Sequence, residues 1–288
     1  MILDWRDYTA NRPPGTHTVT GSLRVLDDVY SPQLGNRRDI LVYLPDGHAA
    51  GRRYPVIYMH DGQNLFDEAA SFAGEWHVDE IMQALEREGT AAIIVGIPNI
   101  GAGRMDEYSP FIERRMSQGH GDLYTRFIAE TVKPLVDASF QTLPGREHTG
   151  VMGSSMGGLI SLYAFFAQSH VFGFAGAMSP ALWFARRACL DWVRTRPFAP
   201  GRIYLDVGTA EAARPRRPSV LRWLGEPPAA RPVRDARAMR DLLVDKGYRE
   251  GRDLLYVEDE GAPHHESAWA RRLPDALRFL LRGAANGA

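Results

Sequence analysis

Short apolar runs alternate along the chain with segments whose apolar positions recur every three or four residues, which predicts strands and helices in turn. Residues 23–30 and 39–44 read as strands, the second closed by the turn tripeptide Pro45-Asp46-Gly47. Residues 54–60 (Tyr-Pro-Val-Ile-Tyr-Met-His) and 91–97 are continuous apolar runs, as expected of strands buried on both faces. Further strands are expected at 148–152, 173–178, 202–207 and 254–257. Helical spacing marks 78–87, 122–140, 158–168, 236–246 and 267–281; Pro134 is a place for a kink, and Pro274 is expected to restart the last helix. This order implies βαβ units: an α/β protein with a central, mainly parallel sheet and helices on both faces. No internal repeat and no compositional shift marks a linker, so residues 1–288 are expected to form one domain, with its core at about 19–281. Residues 212–233, rich in Arg, Pro and Ala, read as an irregular insertion that could wall a cleft.

Composition narrows the function. The 288 residues are 44% hydrophobic and 24% charged, with a net charge of −1, which gives no electrostatic reason for binding nucleic acid or an anionic membrane. The one cysteine, Cys189, excludes an intrachain disulfide and the multi-cysteine zinc modules, and reads as a small buried hydrophobe. The first residues lack a charged n-region before a long apolar run, and no apolar stretch reaches membrane-spanning length, so a cytoplasmic location is expected. A small-molecule substrate is the expected partner, and a homo-oligomer is compatible with it.

The chemistry concentrates at Gly153-Ser154-Ser155-Met156-Gly157, a G-x-S-x-G between an apolar run and a helical one. Flanking glycines leave room for a strained turn that lifts the Ser155 oxygen above the sheet edge, where the next helix aims its N-terminal amides. Ser155 is therefore the candidate nucleophile. It needs a base, oriented by an acid, from loops after later strands. Among nine histidines only His264 and His265 follow a late strand; His264 is preferred, with His265 a polar neighbour or the reverse. For the acid, Glu211 follows the strand at 202–207 immediately, while Asp206, Asp259 and Glu260 are alternatives. The oxyanion donors expected are the N–H of Met156 and that of Gln63, with Gly62 second, in the loop His60-Asp61-Gly62-Gln63-Asn64. Asp61, Gly62, Trp76, Asn99, Arg104, Trp183 and His265 are candidates to line the acyl or alcohol pocket. No cofactor or metal is expected: Asp67-Glu68 and Asp79-Glu80 carry no histidine at ligand spacing and read as solvated or capping charges.

Taken together these stretches resemble the esterase D-like and siderophore-esterase-like family of the α/β-hydrolases. Besides the serine turn, the similar segments are Val42-Tyr43-Leu44-Pro45, His60 to Asp67, Asp106-Glu107-Tyr108-Ser109-Pro110, Tyr204 to Glu211, and His264-His265-Glu266-Ser267-Ala268-Trp269. The resemblance implies an α/β-hydrolase fold with Ser155 as nucleophile, His264 as base and Glu211 at the acid position. His265 stands where the family usually has asparagine. The implied function is a serine esterase that hydrolyses carboxylic esters through an acyl-enzyme. The alternatives are an acyltransferase using the same residues and a non-catalytic binding module.

Overall fold

The apolar runs pair into one nine-stranded sheet with the order β1-β2-β3-β5-β4-β6-β7-β8-β9. The computed structural model describes residues 4–13, 15–211 and 230–283. Its strands are β1 (Arg6–Asp7), β2 (Ser22–Ser31), β3 (Asn36–Leu44), β4 (Val56–His60), β5 (Ile93–Ile97), β6 (Thr149–Ser154), β7 (Phe174–Met178), β8 (Arg202–Gly208) and β9 (Leu254–Asp259). From β5 and β4 through β9 every pairing is parallel, whereas β1, β2 and β3 join one edge antiparallel. The helices are α1 (Val78–Arg87), α2 (Arg104–Glu107), α3 (Gly121–Phe127), α4 (Lys133–Ser139), α5 (Met156–Ala167), α6 (Phe184–Thr195), α7 (Ala230–Asp245) and α8 (Glu266–Leu280).

Strand periodicity divides the core in two. Successive residues point to opposite faces, so Val56 and Tyr58 join one apolar cluster while Ile57 and Met59 join the other. The second cluster is roofed by α1 (Val78, Met82, Leu85) and α8 (Trp269, Leu273, Leu277, Leu280). Residues of α3, α5, α6 and α7 cover the opposite face. Burial on both sides explains why β4 to β7 read as unbroken apolar runs.

Several elements depart from the expected ones. The helix predicted over 122–140 runs on but widens into a π-helical turn at Ile128–Val132, with Pro134 directly after it at the start of α4. Pro274, by contrast, lies inside the continuous α8: the buried stripe Trp269-Leu273-Leu277-Leu280 holds both halves on one axis. Helix α6 was not among the predicted elements, and left-handed residues at Ala185, Arg186 and Arg187 interrupt its start. Of the expected insertion at 212–233, residues 230–233 belong to α7 and residues 212–229 lie outside the described residues. The acids expected to be solvated are partly interior. Asp67 accepts from Tyr8 Oη at 2.9 Å, and Asp79 accepts the Thr20 N–H at 2.6 Å, which ties the N-terminal segment to the loop before α1 and to its first turn. His77 also comes to 3.4 Å from Glu75 and 3.8 Å from Glu80. Cys189 is buried, and burial pushes its thiol up to about 12.

Candidate active site

The strand order reverses at β4, which is flanked by β5 on one side and β6 on the other. In open α/β sheets, crevices form where the order reverses, beyond the carboxyl ends of the strands. The candidate residues gather there: Asp61 follows β4, Ser155 follows β6, Glu211 follows β8 and His264 follows β9.

Ser155 has φ 57° and ψ −118°, a conformation costly for a side chain with Cβ. Three backbone bonds hold it: its N–H donates to Met178 O at 2.9 Å, and its carbonyl accepts from Ala181 and Leu159. The flanking glycines are required by close approach. A Cβ on Gly153 would stand 2.8 Å from the His60 ring and 3.1 Å from the Gly157 backbone. Met156 is the first residue of α5, so its N–H has no intrahelical acceptor and faces the turn.

His264 Nε2 is 3.0 Å from Ser155 Oγ, and its Nδ1 is 3.0 Å from Glu211 Oε2. An ionised carboxylate only accepts, so the Nδ1 proton lies toward Glu211 and Nε2 is left to accept from the serine. The Glu211 side chain is buried. Burial would raise its carboxyl, but hydrogen bonds from His264, Ser179 and the Gly208 N–H outweigh that and hold it below the usual range. Two of the three alternative acids, Asp206 and Asp259, are engaged elsewhere: Asp206 pairs with Arg272, and Asp259 pairs with Arg271 and Arg272.

These groups open on a cavity of about 300 Å³. Of the candidates named for the pocket, Asp61, Trp76, Asn99 and Arg104 line it, together with Gln63, which was named as an oxyanion donor. Asp61 is gripped by Arg104 in a two-pronged pair at 2.7 and 2.8 Å and by Asn99 at 2.7 Å. Burial works to raise its carboxyl, yet these partners leave it lowered. The Arg104 charge is thus spent on Asp61. Gln63 Oε1 accepts the Asn99 N–H at 3.2 Å, which ties the two loops together. Three candidates lie off the cavity lining. Gly62 packs under the sheet, where a Cβ would meet Gly96 and Ile97 backbone at 2.6 Å. Trp183 is exposed and edges onto Phe184, and His265 caps α8 by accepting the Ser267 N–H.

Sequence reasoning missed Asn64, Phe72, Glu266 and Trp269, which also line the cavity. Glu266 and Trp269 stand three residues apart in the first turn of α8, directly after His264, a spacing that places both on one helix face. Trp269 meets the His264 ring edge-on, with centroids 4.9 Å apart. Burial raises the Glu266 carboxyl.

Beneath the serine turn lies His60, fully interior, with Nδ1 2.8 Å from Tyr124 Oη and no partner for Nε2 among the described residues. Burial drives its pKa down to about 3. The unfolded chain, with histidine near its ordinary value, takes up more protons between pH 6.5 and 3. Stability should therefore fall as pH drops through that window. Urea unfolding from pH 7 to 4 is expected to show the loss, and His60→Gln should flatten it. An equally steep profile in the variant would assign the loss to other groups.

A largely parallel sheet with a serine on the turn after a central strand, and acid and histidine loops at the same edge, defines an α/β-hydrolase fold. The chain belongs to the family described as "Putative esterase", whose model matches residues 31–280. The protein YbbA of Bacillus subtilis (strain 168), itself uncharacterized, is 25% identical over 256 residues, covering 85% of this chain and 93% of that one. The siderophore enterobactin esterase of Emericella nidulans is 26% identical over 170 residues, which span 54% of this chain and 55% of its own. Among solved structures, the BES protein from Bacillus cereus superposes with a TM-score of 0.67 at 22% identity, covering 91% of this chain and 95% of that chain. At that identity the likeness speaks for the fold. Family and relatives together support ester hydrolysis as the chemistry. Among the described residues no helix is long and apolar enough to cross a membrane.

Proposed function

We propose that the protein is a serine esterase in which Ser155, His264 and Glu211 act as nucleophile, base and orienting acid. The observation that carries this reading is the hydrogen-bond chain from Ser155 Oγ through His264 to Glu211, opening on the cavity. Ser155 Oγ attacks the ester carbonyl while His264 Nε2 takes its proton. The N–H groups of Met156 and Gln63 receive the developing oxyanion, each worth on the order of 3 kcal/mol of transition-state stabilisation. His264 then returns the proton to the leaving alcohol. Water, activated by the same histidine, releases the acid and restores Ser155.

The cavity is walled by Phe72, Trp76 and Trp269 and floored by the neutralised Asp61–Arg104 pair, which suits an ester with an aromatic or acyl body better than a free anion. The siderophores enterobactin and triacetylfusarinine C, named in the esterases it resembles, are the first substrates to assay. A fluorophosphonate probe is expected to label Ser155 one-to-one and to abolish hydrolysis of p-nitrophenyl acetate. Absence of both labelling and hydrolysis would overturn the proposal and favour a binding module. Preferential transfer to added alcohols over water would make the enzyme an acyltransferase.

A further inference from the structure

Behind Glu211 lies a buried polar cluster that the proposed reaction does not use directly. Ser179, at the end of β7, has φ 43° and precedes Pro180, a costly conformation for a residue with a side chain. Its N–H is held by Asp206 through both the backbone carbonyl at 3.1 Å and Oδ1 at 2.8 Å. Its hydroxyl meets three groups. Trp269 Nε1–H donates to it at 2.9 Å and Arg272 Nη2–H donates to it at 2.8 Å, while Glu211 Oε1 lies on its third side.

The hydrogen-bond direction here is forced. Indole and guanidinium nitrogens can only donate, so they fill both lone pairs of the Ser179 oxygen. The one hydroxyl proton must then go to Glu211 Oε1. That oxygen also accepts the Gly208 N–H at 2.6 Å, which leaves Oε2 to face His264. Arg272 is in turn fixed by Asp206 at 2.8 Å and by Asp259 at 3.1 Å. Every member of this cluster is nearly excluded from solvent except Asp259, so none can exchange its partner for water cheaply.

We infer that Ser179, oriented by Trp269 and Arg272, is a positioning residue that locks the Glu211 carboxylate against rotation, so that Oε2 stays on His264. This rests on the esterase reading above. Asp206, an alternative for the acid on sequence grounds, serves instead as the counter-ion of Arg272. The strained Ser179 backbone is the cost of bringing a hydroxyl to a point that Trp269, Arg272 and Glu211 share. Trp269 holds both ends: its N–H orders Ser179, and its ring packs edge-on against His264.

The backbone supplies an unusual test. Glycine accepts φ 43° without strain whereas alanine does not, so Ser179→Gly and Ser179→Ala remove the same hydroxyl, and with it the partner of Trp269, Arg272 and Glu211, but differ in backbone strain. Both variants are expected to lose roughly 10- to 100-fold in kcat, the worth of one hydrogen bond to a charged group, with KM within about twofold of wild type. Both variants should melt below wild type, because three buried groups lose their partner, and the glycine variant should melt above the alanine one. A merely structural role predicts activity that follows stability: near wild-type kcat in the milder glycine variant and a larger loss in the alanine one. The crystal structure of Ser179→Gly reads positioning without turnover. A Glu211 carboxylate rotated away from His264 Nδ1 is expected, and an unchanged Glu211–His264 contact would overturn the inference. Should the wild type hydrolyse no ester, the esterase reading fails, and the Glu211 geometry of the glycine variant still decides this one.

Discussion

Ser155→Ala is expected to lower kcat on a p-nitrophenyl ester by about 10⁴- to 10⁶-fold, the range seen when a triad nucleophile is removed. The loss should fall on kcat rather than KM, because the Ser155 oxygen forms its bond to substrate only in the transition state. Stability should scarcely change. The substituted side chain keeps the Cβ and the backbone bonds to Met178, Ala181 and Leu159, and gives up a single hydrogen bond to the exposed His264. Adding His264→Ala should then cost little more, since nucleophile and base act as a unit and their losses do not add. Steady-state kinetics of the two single variants and the double, with thermal melts of each, give the full cycle. A Ser155→Ala enzyme that keeps a tenth of wild-type activity would place the chemistry elsewhere.

How much of this was legible follows from the range of the interactions involved. The serine turn was readable because its requirements are local: a strand, two glycines pressed against His60 and the turn backbone, and a helix start, all within a few residues. Glu211 and His264 could be nominated from their places after late strands, and Glu211 preferred to Asp206, which lies within its strand, but Asp259 and Glu260 stayed open. What separates Glu211 from the two aspartates is Arg272, which hydrogen-bonds both aspartates at 2.8 and 3.1 Å but stands 4.0 Å from Glu211 Oε1, leaving Glu211 Oε2 to the histidine. Ser179, Trp269 and Arg272 join that network across gaps of up to 93 residues and carry no local signature. The buried Asp67 and Asp79 were misread for the same reason, since their donors Tyr8 and Thr20 come from the distant N-terminal segment. Helix propensity misled in both directions. Pro274 is overruled by the buried stripe of α8, whereas the 122–140 segment widens into a π turn ahead of its proline.

The largest stability effect is expected from Arg38→Met. Arg38 on β3 and Glu107 on α2 form a two-pronged pair at 2.7 and 2.8 Å, with both side chains only 3% exposed. Asn36 bridges them, accepting from Arg38 at 3.0 Å and donating to Glu107 at 2.8 Å. Removing the arginine leaves a carboxylate in the interior without its counter-charge, a change that costs about 3–5 kcal/mol. For a chain of this size that is a fall of roughly 5–8 °C in Tm. The pair itself is not the source of stability, because the cost of desolvating both charges offsets much of their attraction. Arg38→Met combined with Glu107→Leu should therefore recover most of the loss. Function should respond through α2, which carries Arg104 as well as Glu107: a helix displaced by the lone Glu107 loosens the grip of Arg104 on Asp61 at the cavity floor. The single variant is thus expected to show a raised KM that the double variant restores. Urea titrations of wild type, single and double variants, paired with KM for one ester, test both parts. A single substitution costing under about 1 kcal/mol, the worth of an exposed pair, would show that water reaches these charges.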